Sequence, residues 1–314
     1  MAFVFTLLSM LMTCGADLFE KKSVSSKTEE ALKTVVWYGI FNVILFIVII
    51  LFGMDETSLM PHELICKTPV VLLTPLLNSL CLFFGLMAYK HVGVSIKNTF
   101  GNTDGLFFVL LLVFFHITTG NAHYAVRLFT PFAVSGLILI ITAGIVYPNI
   151  KARHNNDSDD QSAPPEANSK ERLITGILLA LTAAFFDGAE SMVTSVLIGD
   201  DIVDSADFLA ASSLMHVIIA LFIWIYLWLT DKKPYNPFGK TEKNRFISQL
   251  FLLGSDILYI FAVFNDPLLG IILWNAFPIL DIIGARIFMK EKLSFRQYMI
   301  LIILIVGAVL VSLS

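Results

Sequence analysis

Charge is scarce in this chain: 15% of its 314 residues are Asp, Glu, Lys or Arg, against about a quarter in an ordinary soluble domain. Apolar residues make up 57%, with 27 phenylalanines and 10 methionines, and the mean hydropathy is +0.80. A water-soluble fold of this length could not hide that much apolar surface, so lipid must be the solvent for much of it. The net charge of −4 is too small to imply a strongly acidic or basic partner, and no nucleic acid is expected. Cysteine is equally sparse. Cys14, Cys66 and Cys81 are scattered, with no Cys-x-x-Cys pair and no histidine at ligand spacing, which leaves no basis for a metal or redox role. Cys14 and Cys81 lie in apolar runs, where a thiol behaves as a small hydrophobe. Walker A, Gly-x-Ser-x-Gly and His-Glu-x-x-His signatures are all missing. His116 and His123 fall in an expected outer loop without ligand partners, and the isolated His216 reads as a helix contact. Neither an enzyme nor a cofactor is expected.

What the chain has is long apolar runs. A helix needs roughly 20 apolar residues to cross the hydrocarbon core. On that basis runs occur near Ala2–Phe19, Thr34–Phe52, Pro69–Ala88, Gly93–Phe115 and Leu128–Tyr147. They resume near Leu173–Leu197, Phe208–Leu229, Phe246–Phe264, Leu268–Phe288 and Gln297–Leu313. The runs are continuous rather than alternating, which favours helices over the short period-two strands of a barrel. The first run lacks a basic leading segment, and Asp17 and Glu20 stand where a cleavage site would be, so it is expected to be a retained helix rather than a signal peptide.

Between the fifth and sixth runs, Asn149–Glu171 is polar and proline-containing, the composition of a flexible linker. It divides the chain into residues 1–148, a linker at 149–171, and residues 172–314, with five runs on either side. All Lys and Arg residues except Lys67 and Arg127 fall in or beside the loops after runs one, three, five, seven and nine. Basic loops stay cytoplasmic. These loops, the linker included, are therefore expected inside and both termini outside, in what is expected to be the plasma membrane.

Five runs per half make the second half enter the membrane from the opposite side, an inverted-topology repeat of the kind from which many secondary transporters are built. Two stretches support it. Gly93-Val-Ser-Ile-Lys-Asn98-Thr-Phe100-Gly-Asn-Thr-Asp104 lies over Gly270-Ile-Ile-Leu-Trp-Asn275-Ala-Phe277-Pro-Ile-Leu-Asp281, matching Gly, Asn, Phe and Asp at one offset. Asp17-Leu-Phe-Glu20 lies over Asp187-Gly-Ala-Glu190 without gaps. The fold class expected is thus an all-α membrane protein of ten transmembrane helices in two inverted five-helix repeats.

Ionisable groups inside a span cost at least ~2.5–3.5 kcal/mol each and normally face a bundle interior or an aqueous cavity. Asp17, Asp104, Asp187, Glu190, Asp256 and Asp281 lie within or near the runs, with few bases beside them. Lys97, two turns before Asp104 on one helix face, is its expected partner. Asp17 and Glu20 share a helix face, as do Asp187 and Glu190. Glu20, next to Lys21 and Lys22, reads first as an interfacial charge. Asp104 and Asp281 fall about halfway through their spans, where repeat-built carriers hold substrate, with Asn98 and Asn275 one or two turns earlier as polar ligands. Their rival reading is a helix–helix hydrogen bond. Gly101, Gly105 and Pro278 lie nearby, and such interruptions in matching spans point to broken helices. Trp37, Tyr38, Trp224, Tyr226 and Trp228 read as an interfacial belt. The deeper Trp274 and Tyr259 could complete a cage for an organic cation, because ring faces attract ammonium groups.

Several of these stretches resemble the ten-helix EamA-like branch of the drug/metabolite transporter superfamily. Phe288-Met-Lys-Glu-Lys-Leu-Ser-Phe-Arg-Gln-Tyr298, followed by an apolar run with Gly307, is similar to that branch's signature between its ninth and tenth helices. Gly15-Ala-Asp-Leu-Phe-Glu-Lys-Lys22 is similar to the end of its first helix. Ser95-Ile-Lys-Asn-Thr-Phe-Gly-Asn102 resembles its fourth-helix pattern, and Phe186-Asp-Gly188 the start of its second half. The sequence departs from the branch in carrying Lys290 before Glu291, where Gly is usual, and in the extra residues His116–Thr130. The resemblance implies an inverted-repeat carrier with a central site. The function expected is secondary active transport of a small polar or cationic metabolite such as an amine or amino acid. Asn98, Asp104, Asn275, Asp281, Trp274 and Tyr259 would bind it. Asp17, Glu20, Asp187, Glu190 and Asp256 are gate or proton-coupling candidates. The alternative is a non-transporting membrane scaffold or sensor whose buried acids serve helix packing.

Overall fold

A computed structural model describes residues 2–24, 28–52, 58–119, 131–147, 167–199, 202–230, 235–265 and 277–312. Every regular element among them is helical. The helices are α1 (Ala2–Ser23), α2 (Thr28–Phe52), α3 (Pro61–Lys67), α4 (Leu73–Ala88), α5 (Val94–Gly101) and α6 (Asp104–Thr119). They continue with α7 (Pro131–Val146), α8 (Ala167–Gly199), α9 (Ser205–Thr230), α10 (Lys243–Asn265), α11 (Pro278–Phe288) and α12 (Phe295–Ser312). Among the described residues six stretches are long and apolar enough to cross a membrane: Phe3–Ser23, Thr28–Leu51, Pro69–Ala88, Val94–Thr119, Lys170–Leu197 and Ala206–Thr230. These are the dimensions of a multi-pass integral membrane protein.

The other four apolar runs are helical where described, in α7, α10, α11 and α12; within them Val134–Ala143 and Phe295–Leu310 are shorter apolar stretches among the described residues.

Local chemistry sets several helix ends. The α2 helix opens with Glu29 and Glu30 in its first turn, and α1 closes with Lys21 and Lys22 in its last. Both place charge against the opposite end of the helix dipole. Helix α2 therefore begins six residues before its apolar run, because its first turns are polar. A 3-10 turn, Pro69–Leu72, leads into α4, and proline also supplies the first residue of α7 and of α11, where its missing N–H costs nothing. The run Gly93–Phe115 is not one helix. It breaks at Asn102–Thr103, between Gly101 and Gly105.

The helices pack in pairs: α1 on α10, α4 on α8, α2 on α9, and α7 on α12. The short α5 sits at the centre, touching α1, α4, α8, α11 and α12. Small residues permit the closest approaches. A Cβ at Gly188 of α8 would lie 2.6 Å from the Asp104 carbonyl oxygen of α6, and one at Gly39 of α2 would collide with Ala220 of α9. The largest core cluster joins Phe100, Ile140, Tyr147, Ile177, Leu301 and Leu304. Leu51, Phe114, Phe222 and Phe288 present outward-facing side chains, the pattern of a bundle solvated by lipid.

Candidate functional site

The centre of the bundle is a hydrogen-bonded cluster that radiates from α5. Asn98, 3% exposed, donates both amide hydrogens: one to Asp17 Oδ2 of α1 and one to Asp281 Oδ2 of α11, each at 2.8 Å. The Tyr89 hydroxyl, from the turn before α5, donates to Asp17 Oδ1 at 2.8 Å and lies 3.2 Å from Asn98 Oδ1. Lys97 Nζ stands 3.7 Å from Asp17 Oδ1 and 4.8 Å from the Tyr89 ring centroid, over its face. Lys97 thus pairs with Asp17 and not with Asp104 as the helix spacing suggests. The break at Asn102–Thr103 ends the continuous helix on which the expected pairing rests, and it leaves Asp104 as the first residue of α6.

Beside this cluster is a cavity of about 550 Å³, within the range of roughly 300–1,000 Å³ usual for small-molecule sites. Its walls carry four carboxylates, Glu20, Asp187, Glu190 and Asp256, and one ammonium, Lys97. Asn78, Asn98 and Asn102 add amides, and Tyr38 and Phe277 add rings. Glu20 accepts from Gln249 Nε2 at 3.2 Å and Glu190 from the Thr194 hydroxyl at 3.0 Å. Four acids facing one base give the space a strong preference for positive charge, because the low dielectric around it screens them poorly.

One end of the cavity-lining bundle is tied by contacts between residues distant in sequence. The carboxylate of Glu291, in the loop before α12, caps the first turn of α5: it accepts from Val94 N at 2.7 Å, Ser95 N at 3.3 Å and Ser95 Oγ at 2.9 Å. An anion suits a helix N-terminus, where backbone amides lack partners. The capping geometry needs Gly93, since a Cβ there would lie 2.5 Å from the Glu291 carboxyl carbon. Lys290, just before, takes a φ of 55°, the left-handed conformation that Gly adopts at least cost. Lys21 Nζ donates to the Tyr89 and Val92 carbonyls, and Arg172 to the Lys90 carbonyl at 2.7 Å. Next to them, the Arg245 guanidinium holds Glu30, Glu242 and the Ser23 carbonyl. His91, in the same turn as Lys90, lies below the ordinary histidine range: burial disfavours its charged form, and Arg172, Lys90 and Lys21 add to the effect.

Of the expected ligands, Asn98 lines the cavity. Asp281, fully buried, sits behind Asn98, and its Oδ1 has no hydrogen-bond partner among the described residues. Asp104 stands outside the cavity wall, at the contact of α6 with Gly188. Asn275 and Trp274 lie outside the described residues, as do most of the linker and the loop containing His123. The side chain of Tyr259 also lies outside the description. Of the gate or coupling candidates, Glu20, Asp187, Glu190 and Asp256 line the cavity and Asp17 lies in the cluster behind it. Glu20 is 5% exposed and faces the cavity, which replaces its reading as an interfacial charge. Trp37 likewise leaves the aromatic belt: it is buried among Phe41, Phe238 and Phe246, whereas Tyr226 and Trp228 are exposed. His216 is buried edge-on against Tyr38, with ring centroids 5.1 Å apart. Sequence reasoning missed Asn78, Tyr89, Gln249 and the role of Glu291, and it read Cys81, which lines the cavity, only as a small hydrophobe. Asn78 and Gln249 were detectable as polar groups within apolar runs.

No protein-family model matches the chain, and no curated protein matches it in sequence. Eighteen chains of solved structures do match. One of these, described simply as the crystal structure of a protein, superposes on 99% of this chain and 95% of its own length, with a TM-score of 0.52 and 14% identity. At that identity the likeness concerns the fold alone.

Proposed function

We propose that the chain is a secondary active transporter that carries a small polar or cationic metabolite, such as an amine or amino acid, by alternating access. The observation that carries this reading is the cavity of about 550 Å³ with Glu20, Asp187, Glu190 and Asp256 on its walls against the single ammonium of Lys97. Carboxylates at membrane depth are costly, and a wettable hollow sized for a metabolite gives them a use. In this reading ten helices cross the membrane as two inverted halves: α1, α2, α4, α5–α6 and α7, then α8 to α12. Exchanging the halves maps the observed helix pairs onto one another. The pair α1/α10 becomes α8/α4, α4/α9 becomes α10/α2, and α1/α11 becomes α8/α5–α6, while α2/α9 and α7/α12 map onto themselves. The correspondence of these pairs supports an arrangement like that of repeat-built carriers. The reading also draws on the resemblance to the EamA-like branch, and it takes the plasma membrane as the location and the cytoplasm as the side of the basic loops.

The test is a melting-temperature screen of the purified protein against amines, amino acids and nucleosides, since a ligand of the folded form alone raises that temperature. Asp187→Asn and Glu190→Gln should each weaken the binding of a hit about tenfold to a hundredfold, the size of one hydrogen bond to a charged group. Unchanged binding and unchanged liposome uptake in both variants would remove the assignment. One observation favours the rival scaffold: the Asp17–Asn98–Asp281 bridge joins three helices as a packing hydrogen bond does. A scaffold would bind no member of the screen.

A further inference from the structure

The Asp17–Asn98–Asp281 cluster contains more acid than its surroundings can neutralise. Asn98 has two amide hydrogens and has given one to each carboxylate. Asp17 receives in addition the Tyr89 hydroxyl and the Lys97 ammonium. Asp281, at 0% exposure, receives a single N–H on Oδ2, and among the described residues Oδ1 has no hydrogen-bond partner; the Cys14 thiol, a weak donor, lies beside the carboxyl. The titratable groups that face Asp281 are Asp17 and Cys14 of α1 and Lys97 of α5, with Tyr89 beyond them. On α12, which also packs against α11, Arg296 is exposed in the first turn. Within the cluster one positive charge therefore serves two buried carboxyls, although Lys97 also faces Glu20 and Asp187 across the cavity, and Asp17 is the carboxylate it stands against. An ionised carboxylate with one donor and no counter-charge is among the most costly groups to bury, whereas the neutral acid is tolerated.

We propose that Asp281 is a protonated carboxylic acid at neutral pH, and that Lys97 decides which of the two carboxyls ionises. When Lys97 faces Asp17, the proton resides on Asp281. When a rearrangement draws Lys97 toward Asp281, the O–H bond of Asp281 breaks, its proton leaves to cavity water by way of the Asn98 wall, and Asp281 becomes the anion that balances the ammonium. Asp17, left without a cation, then takes up a proton in turn. That this exchange couples to transport rests on the carrier reading above. The protonation itself does not.

Infrared difference spectroscopy of the full chain in lipid nanodiscs tests the proposal without any cargo. Subtracting Asp281→Asn from the unsubstituted protein at neutral pH should leave one protonated-acid carbonyl band and no carboxylate bands. That band should shift when H2O is replaced by D2O. Lys97→Met should add an acid band that Asp17→Asn in the same background removes, which separates Asp17 from Glu20 and Asp187, and Asp17→Asn alone should convert the Asp281 band to carboxylate. Carboxylate bands in the Asp281→Asn difference overturn the protonation, and an acid band that never shifts in D2O overturns the exchange. Should Asp281→Asn fail to fold, Lys97→Met decides: without a new acid band the shared-cation logic is wrong. Failure of the cargo screen leaves these bands in place, so the two readings fall separately.

Discussion

Single side chains reveal how tightly this bundle is drawn together. Gly39 of α2 leaves no room for a methyl group beside Ala220 and the His216 carbonyl, whereas Gly101, at the end of α5, has open space where a Cβ would go. Gly39→Ala should therefore cost about 1–3 kcal/mol, as overpacking does. Gly101→Ala should be neutral or stabilise by up to about 1 kcal/mol. Chemical denaturation of the detergent-solubilised protein separates the two, and equal losses would refute the packing described. His91 gives a pH prediction. Its folded-state pKa lies below the ordinary 6.5, so protonation favours the unfolded chain. Stability is intact above the unfolded value and falls as pH drops through it toward the lower folded value. His91→Gln should flatten that acid limb of the melting curve, and an unaltered limb would exclude His91 as a contributor. At this scale the sequence was partly legible. Acids in apolar runs stand out, and most of those singled out lie on the cavity or in the cluster behind it. Which acid faces which base did not follow, because the Lys97–Asp17 pair depends on how α1 crosses α5, and no spacing within one helix encodes that.

At the scale of elements, the apolar runs anticipated most helices, because a lipid-solvated helix must be apolar along its length. Polar helix ends escaped the same signal. The α3 helix, Pro61–Lys67, is too short and polar for hydropathy to find, though Pro61 and Glu63 in its first turn suit a helix start. The role of Glu291 as the cap of α5 was invisible, since cap and helix lie 197 residues apart from Val94 to Glu291. Glu291→Ala should destabilise the protein by about 1–2 kcal/mol, with faster hydrogen exchange at Val94 and Ser95. Unchanged exchange at those two amides would show that the cap holds nothing. Arg245 ties the start of α10 to α1 and α2 through Glu30, Glu242 and the Ser23 carbonyl. Arg245→Met leaves Glu242 buried without its counter-charge, held still by the Tyr235 hydroxyl, and should cost about 3 kcal/mol. Adding Glu242→Gln should restore part of it in the same unfolding assay; no recovery would place the loss in packing rather than charge.

For the whole molecule, the orientation proposed from the basic loops can be tested with a native residue. Cys66, on α3, is exposed, while Cys14 is buried and Cys81 half-buried. A membrane-impermeant maleimide should label intact cells at Cys66, and Cys66→Ser should abolish the signal. Labelling confined to inverted vesicles would reverse the proposed topology. The pairwise packing of helices, which no single run encodes, is where the structure goes furthest beyond the sequence, because side-chain fit between distant segments decides it. The grip of Glu291 on α5 has a mechanical consequence. Helix α5 is a rod of two turns, about 12 Å long, clamped at its start by the loop before α12 and carrying Lys97 and Asn98 midway along it. Tugging the loop must tilt the rod, and any change of partner at Lys97 must pull on the loop, so the loop before α12 and the buried cluster are geared together as the two arms of one lever.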